Sequence, residues 1–189
     1  MTRDWQDIAK AKQAALLDSI PKQWRIPDEL MPPESQLNVT GFPKDSGFFT
    51  QDELKYTSAT IPELLQKVHS GNWKTVDVIQ AFSKRAAVGH QLTNCLSETL
   101  FPEAEERAKA LDAHLEKTGK PIGPLHGLPV SLKDNFNIIG HDSTLGFVAW
   151  VDQPATYNTV LVDMLKDMGA VFFVKTNVPT GNLDQLMMY

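Results

Sequence analysis

The amino-acid sequence predicts an α/β layered fold, and three patterns carry that prediction. Helical apolar spacing recurs between residues 61 and 117. Residues 128–133 alternate apolar and polar, and residues 170–174 form a continuous apolar run directly after a helical pattern closed by Gly169. A short apolar run behind a helix reads as a strand buried on both faces, and helix followed by buried strand is half of a βαβ unit.

Each element has its own justification. Residues 5–20 place Trp5, Ile8, Ala15 and Leu16 near one helical stripe, and Pro21 stops it. Residues 21–47 hold Pro27, Pro32, Pro33 and Pro43 and read as an extended arm lying across a larger body. Thr60-Ile61-Pro62-Glu63 is a capping box, followed by Ile61, Leu64, Leu65 and Val68 at i, i+3, i+4, i+7 and by Gly71 past the end. A second helix is expected from Thr75, with Asp77 in its first turn and Val78, Ile79, Phe82 and Ala86 inward. A third over 103–117 buries Ala104, Ala108, Leu111 and Leu115 and stops at Gly119, and residues 94–100 between these two make a short strand.

After an irregular loop, a strand should place Leu128, Val130 and Leu132 on one face and Ser131 and Lys133 on the other. A last helix from Asn158 should pack through Val160, Leu161, Met164, Leu165 and Met168. The chain divides into an N-terminal helix and arm, 1–57, and a layered domain, 58–189.

Composition narrows the function. The net charge of -5, with no basic cluster, argues against a nucleic-acid partner. No apolar stretch approaches the ~20 residues of a membrane span, and the first residues lack a secretory apolar core. Cys95 is the only cysteine, so an intramolecular disulfide is impossible, a Cys-based zinc site is not expected, and a cytoplasmic setting fits best. His69, His90, His114, His126 and His141 show no metal-binding spacing, so neither metal nor cofactor is expected.

The informative stretch is Ser131-Leu132-Lys133-Asp134-Asn135. A lysine at a strand end, taken alone, is usually a solvated charge. Here its setting, Pro124-Leu125-His126-Gly127-Leu128-Pro129-Val130-Ser131-Leu132-Lys133-Asp134-Asn135, closely resembles the motif that carries the catalytic lysine of the amidase signature family. Gly140-His141-Asp142-Ser143-Thr144-Leu145-Gly146 and residues 169–179 resemble the family in the same order, and Gln91-Leu92-Thr93-Asn94-Cys95 resembles its acetamidase branch.

The resemblance implies the N-terminal part of an α/β/α layered fold with a mixed sheet flanked by helices. It also implies hydrolysis of a small-molecule carboxamide through an acyl-enzyme, with Lys133 as the base that receives the serine proton through a bridging serine. The family's two serines lie in a Gly-Gly-Ser-Ser-Gly-Gly loop that nothing in this sequence matches. Residues 180–189 show no alignable motif. The resemblance therefore implies a truncated domain, inactive alone, with apolar surface left exposed. His126 is expected to be a structural hydrogen-bonding residue, and Asp134 to pair with a backbone amide or a lysine.

Overall fold

A computed structural model describes residues 4–179. Helix α1 (Trp5–Asp18) leads through two 3-10 turns (Lys22–Trp24 and Asp28–Leu30) to α2 (Phe42–Asp45), α3 (Gln51–Ser58), α4 (Ile61–His69) and α5 (Thr75–Thr93). Then come β1 (Leu96–Thr99), α6 (Phe101–Thr118), β2 (Pro129–Lys133), a 3-10 turn (Val148–Trp150), α7 (Val160–Asp167) and β3 (Val171–Thr176). The strands form one mixed sheet in the order β1-β3-β2, with β2 parallel and β1 antiparallel to β3.

The layering follows from the apolar pattern of β3. Val171 and Phe173 pack with Ile79 and Ala87 of α5 and with Phe101, Ala104, Ala108 and Leu111 of α6. Phe172, between them, joins Leu100, Leu132, Ile138 and Val162 in a different cluster. Neighbouring strand residues face opposite sides, so α5 and α6 cover one face of the sheet and α7 the other.

Local chemistry sets the helix ends. Thr60 Oγ1 accepts from the Glu63 amide and Glu63 accepts from the Thr60 amide, as the capping box requires. Helix α5 has no cap from its own sequence: the Asp112 carboxylate of α6 accepts from the Thr75 and Val76 amides at 2.7 and 3.1 Å. Asn94 ends α5 and Gly119 ends α6, both left-handed. Helix α3 was not signalled by any apolar stripe. It too begins with a capping box, Thr50 with Glu53, and it packs on α5 through Lys84, whose amine reaches the Glu53 carboxylate at 2.8 and 3.0 Å.

Three expectations are corrected. Trp5 does not face inward; it is 63% exposed, and α1 buries no residue. Leu128 packs with Leu64, Val68 and Val78, while Val130 and Leu132 lie in the other cluster. The strand begins only at Pro129 and carries a register irregularity between Val130 and Ser131, so the alternation does not extend back to Leu128. In α7 the inward residue is Val162, whereas Val160, Leu161 and Met164 are exposed by 73%, 43% and 54%. Tyr157 and Ile139 are exposed as well, giving the molecule an unburied apolar flank on that side.

The approach to β2 is fixed by close backbone contact. The Gly127 amide donates to the Gly169 carbonyl at 2.9 Å. Gly169 has φ +96, and a Cβ there would stand 2.7 Å from His126 Cα, so only glycine fits. His126 is fully buried, and its Nδ1 accepts from the Ile122 amide at 3.0 Å. The proton of the neutral ring therefore sits on Nε2. Burial, helped by the neighbouring His69 and His114, pushes its pKa from 6.5 down to about 4.

Because the unfolded chain takes up a proton on this ring below pH 6.5 and the folded chain does not, stability is full above that pH. It should fall by up to about 3 kcal/mol as pH drops toward 4. Urea unfolding at pH 7.5 and pH 5 measures this, and a His126→Gln variant should show a flatter pH dependence. The exposed α7 flank should bind a hydrophobic dye; Val160→Glu with Met164→Glu should reduce that signal by half or more, on the order expected for an exposed patch of this kind.

Candidate active site

Lys133 is the last residue of β2 and stands opposite Thr176 of β3. It is half-buried, and its amine makes no hydrogen bond or ion pair with another described residue. Ser131 is exposed, beside a groove of about 400 Å³ lined by Ile61, Phe82, Leu128 and Pro129. The strand thus ends with a half-buried lysine.

Asp134 follows immediately and is buried, 1% exposed. Its amide continues the ladder by donating to the Thr176 carbonyl at 2.9 Å. Its carboxylate accepts from Ser97 Oγ at 2.8 Å, from the Leu145 amide at 2.8 Å and from Thr144 Oγ1 at 3.4 Å. The amine of Lys175 lies 3.6 Å from the same carboxylate. Asp134 therefore does pair with a backbone amide and a lysine, the structural role expected for it.

Lys175, which no motif singles out by itself, is the cation that Asp134 meets. It is fully buried on β3, donating to the Asp142 carbonyl and, at 2.8 Å, to Ser143 Oγ. Burial lowers its pKa below the ordinary lysine value, and the Asp134 charge opposes that shift. Its signal was a single lysine inside an otherwise apolar strand, which cannot stay charged there without a partner. Ser143 in turn donates to the Phe136 carbonyl at 3.2 Å. A serine that donates elsewhere and accepts from an amine is not arranged to lose its proton to that amine, so the Ser143–Lys175 contact is structural.

A second network joins α1 to the same region. Lys12 bridges the Glu98 and Asp142 carboxylates, the latter at 2.8 Å. Asp142 also accepts from the Asp152 and Gln153 amides at 3.0 and 2.9 Å. Although burial alone would raise it, the Asp142 pKa is lowered, because the Lys12 hydrogen bond and charge and these two amides outweigh burial. Beside it, residues Ala9, Gln13, Leu16, Ser97, Thr144 and Phe147 line a cavity of about 210 Å³ between α1, β1 and the 144–151 segment.

His69 meets His126 edge-on and His114 meets it at a tilt, at ring-centroid separations of 5.9 and 6.4 Å. Among the described residues no group of three or more His, Cys, Asp or Glu side chains could hold a metal ion. Among them, too, no helix is long and apolar enough to cross a membrane. Cys95 is a free, partly buried thiol packed against the main core cluster.

A parallel β2–β3 pair with a half-buried lysine at the strand end, an adjoining buried aspartate paired with a buried lysine and the 142–145 segment beside them define an α/β site. Residues 77–185 match the family model described as Amidase, a match that runs beyond Pro179 into residues whose structure lies outside the described part. An acetamidase of Emericella nidulans is 41% identical over 95% of this chain and 32% of that protein. An amidase of Gibberella moniliformis is 42% identical over 93% of this chain and 34% of its own length. The solved structure of a fatty acid amide hydrolase superposes with a TM-score of 0.84 at 31% identity, covering 94% of this chain and 32% of that one. The chain belongs to the amidase signature family. It spans about a third of the length of the curated relatives it matches.

The two lysines should respond differently to removal. Lys175→Met leaves Asp134 buried without its cation and should cost about 3 kcal/mol or more. Lys133→Met, at a half-buried position without a partner among the described residues, should change stability by less than about 1 kcal/mol. Denaturant unfolding of both variants decides it, and equal losses would remove the distinction drawn between them.

Proposed function

We propose that this chain is the N-terminal part of an amide hydrolase that cleaves the C–N bond of a small-molecule carboxamide, with Lys133 as its general base. What supports this reading is the placement of Lys133 at the end of β2, within the signature stretch, with its amine uncommitted to any other described residue. Lys175 is the less suitable base. Its amine donates to Asp142 and Ser143 and forms an ion pair with Asp134, and its side chain is closed to solvent.

The chemistry sets what Lys133 must do. An amide resists attack, so the reaction passes through an acyl-enzyme formed by an activated serine. A neutral Lys133 amine would receive the serine proton, relayed through a bridging serine, and the resulting ammonium would return it to the departing nitrogen. Neither serine is supplied by the motifs of this chain; by resemblance both belong to the Gly-Gly-Ser-Ser-Gly-Gly loop, which relatives carry further along. The chain alone is accordingly proposed to be inactive, and to act only when joined or bound to that part. A lone cysteine outside any disulfide and the acidic surface balance favour a cytoplasmic setting and a small-molecule partner rather than nucleic acid.

The test supplies the missing part. This chain, co-expressed with the remaining two-thirds of the Emericella nidulans acetamidase, should hydrolyse simple carboxamides, and Lys133→Ala should lower kcat by three or more orders of magnitude, roughly the loss seen when one member of a nucleophile–base unit is removed. Full activity with alanine at 133 would overturn the base assignment. Turnover by the chain alone would overturn its proposed inactivity.

A further inference from the structure

The buried ion pair behind Lys133 has no place in the proton relay, yet it occupies the position through which the relay's base is held. Asp134 is bonded in sequence to Lys133, and its amide and carboxylate are both committed. The amide ties to Thr176 of β3; the carboxylate ties to Ser97 of β1, to Thr144 and Leu145 of the loop, and to Lys175. Lys175 extends the same set to the Asp142 carbonyl and Ser143. Asp134 opens the turn that follows β2, closed by the Phe136 amide donating to the Lys133 carbonyl at 3.0 Å, so fixing Asp134 fixes the backbone from which the Lys133 side chain leaves the strand.

We propose that Lys175 and Asp134 are positioning residues for Lys133, clamping the end of β2 to β1, β3 and the 142–145 segment so that the Lys133 side chain leaves the strand from one fixed backbone position. This rests on the reading of Lys133 as the base, but the clamp can be measured without catalysis. A lysine amine on a four-carbon stem has wide rotational freedom. A site needs such a group held within about 0.5 Å by its supporting shell. Here the support is ionic rather than apolar, and a buried pair of charges is satisfied by few arrangements, which gives it directional specificity that a methyl contact lacks.

The experiment uses the chain itself. Asp134→Asn with Lys175→Met removes both charges and leaves neither unpaired; circular dichroism and a cooperative melt establish that it folds. Two readouts follow: the rate at which limiting acetic anhydride acetylates Lys133, mapped by mass spectrometry against Lys117 and Lys166, and amide hydrogen exchange. The folded double variant should change the relative Lys133 rate by about threefold or more, as expected when a flexible amine loses its fixed setting. The Leu145 amide, which donates to Asp134, should exchange at least about tenfold faster, while amides of α5 and α6 stay unchanged.

A folded double variant with the native Lys133 rate would overturn the proposal, since a merely structural pair would leave that rate alone. If the double variant does not fold, Ser97→Ala removes one bond to Asp134, and an unchanged Lys133 rate in that variant overturns it equally. Neither readout depends on amide hydrolysis, so failure of the clamp and failure of the base assignment are distinguished.

Discussion

The site depends on one constraint: Lys175 and Asp134, both closed to solvent, must satisfy each other inside an otherwise apolar sheet. A lysine amine and a carboxylate brought this far from water cost several kcal/mol each unless paired and hydrogen-bonded. The chain meets that demand by bringing donors and acceptors from β1, β3 and the 142–145 segment to one place. Those same contacts fix where β2 ends, and Lys133 is the residue at that end. The position of the proposed base is thus a consequence of how its neighbours are desolvated.

The apolar surface tells a consistent story. The sheet face under α5 and α6 is closed by Ala104, Ala108 and Leu111 packing with Val171 and Phe173. The other face has Val162 inward but leaves Val160, Leu161 and Met164 in water. Relatives are about three times as long as this chain's matched part, so in them the equivalent flank has further chain available to cover it. An amphipathic helix whose apolar stripe is wider than the surface it covers is what a section of a larger layered fold would present.

Much of this was legible in the sequence because it rests on local rules. The Thr60–Glu63 capping box, the stop at Gly119 and the strand behind Gly169, which runs from Val171 to Thr176, follow from side-chain spacing and turn chemistry. What was not legible depends on contacts made at a distance. Helix α3 has a capping box as clear as that of α4, but its sequence Gln-Asp-Glu-Leu-Lys-Tyr-Thr-Ser carries no apolar stripe, and it is held by Lys84 reaching Glu53. The start of α5 is capped from α6 by Asp112, a partner that no local window contains. Helical spacing predicts burial for every apolar residue of α7, yet Val162 is buried against the sheet while Val160, Leu161 and Met164 face water, because how much of a stripe is covered depends on distant chain. At the site, Lys133 was found through its motif, whereas Lys175 drew no notice until the fold placed it beside Asp134.

Two lysines of one sheet differ in their surroundings: Lys175 is committed to the interior, and Lys133 is the one proposed for chemistry. Chemical footprinting of the unmodified, folded chain tests this most directly: brief exposure to an amine-acylating reagent at constant pH, with every lysine quantified against the denatured chain. The account predicts that Lys133 reacts at a rate comparable with half-buried surface lysines, while Lys175 is spared until the chain unfolds. Modification of Lys175 in the folded chain as fast as Lys133, or protection of both alike, would contradict it.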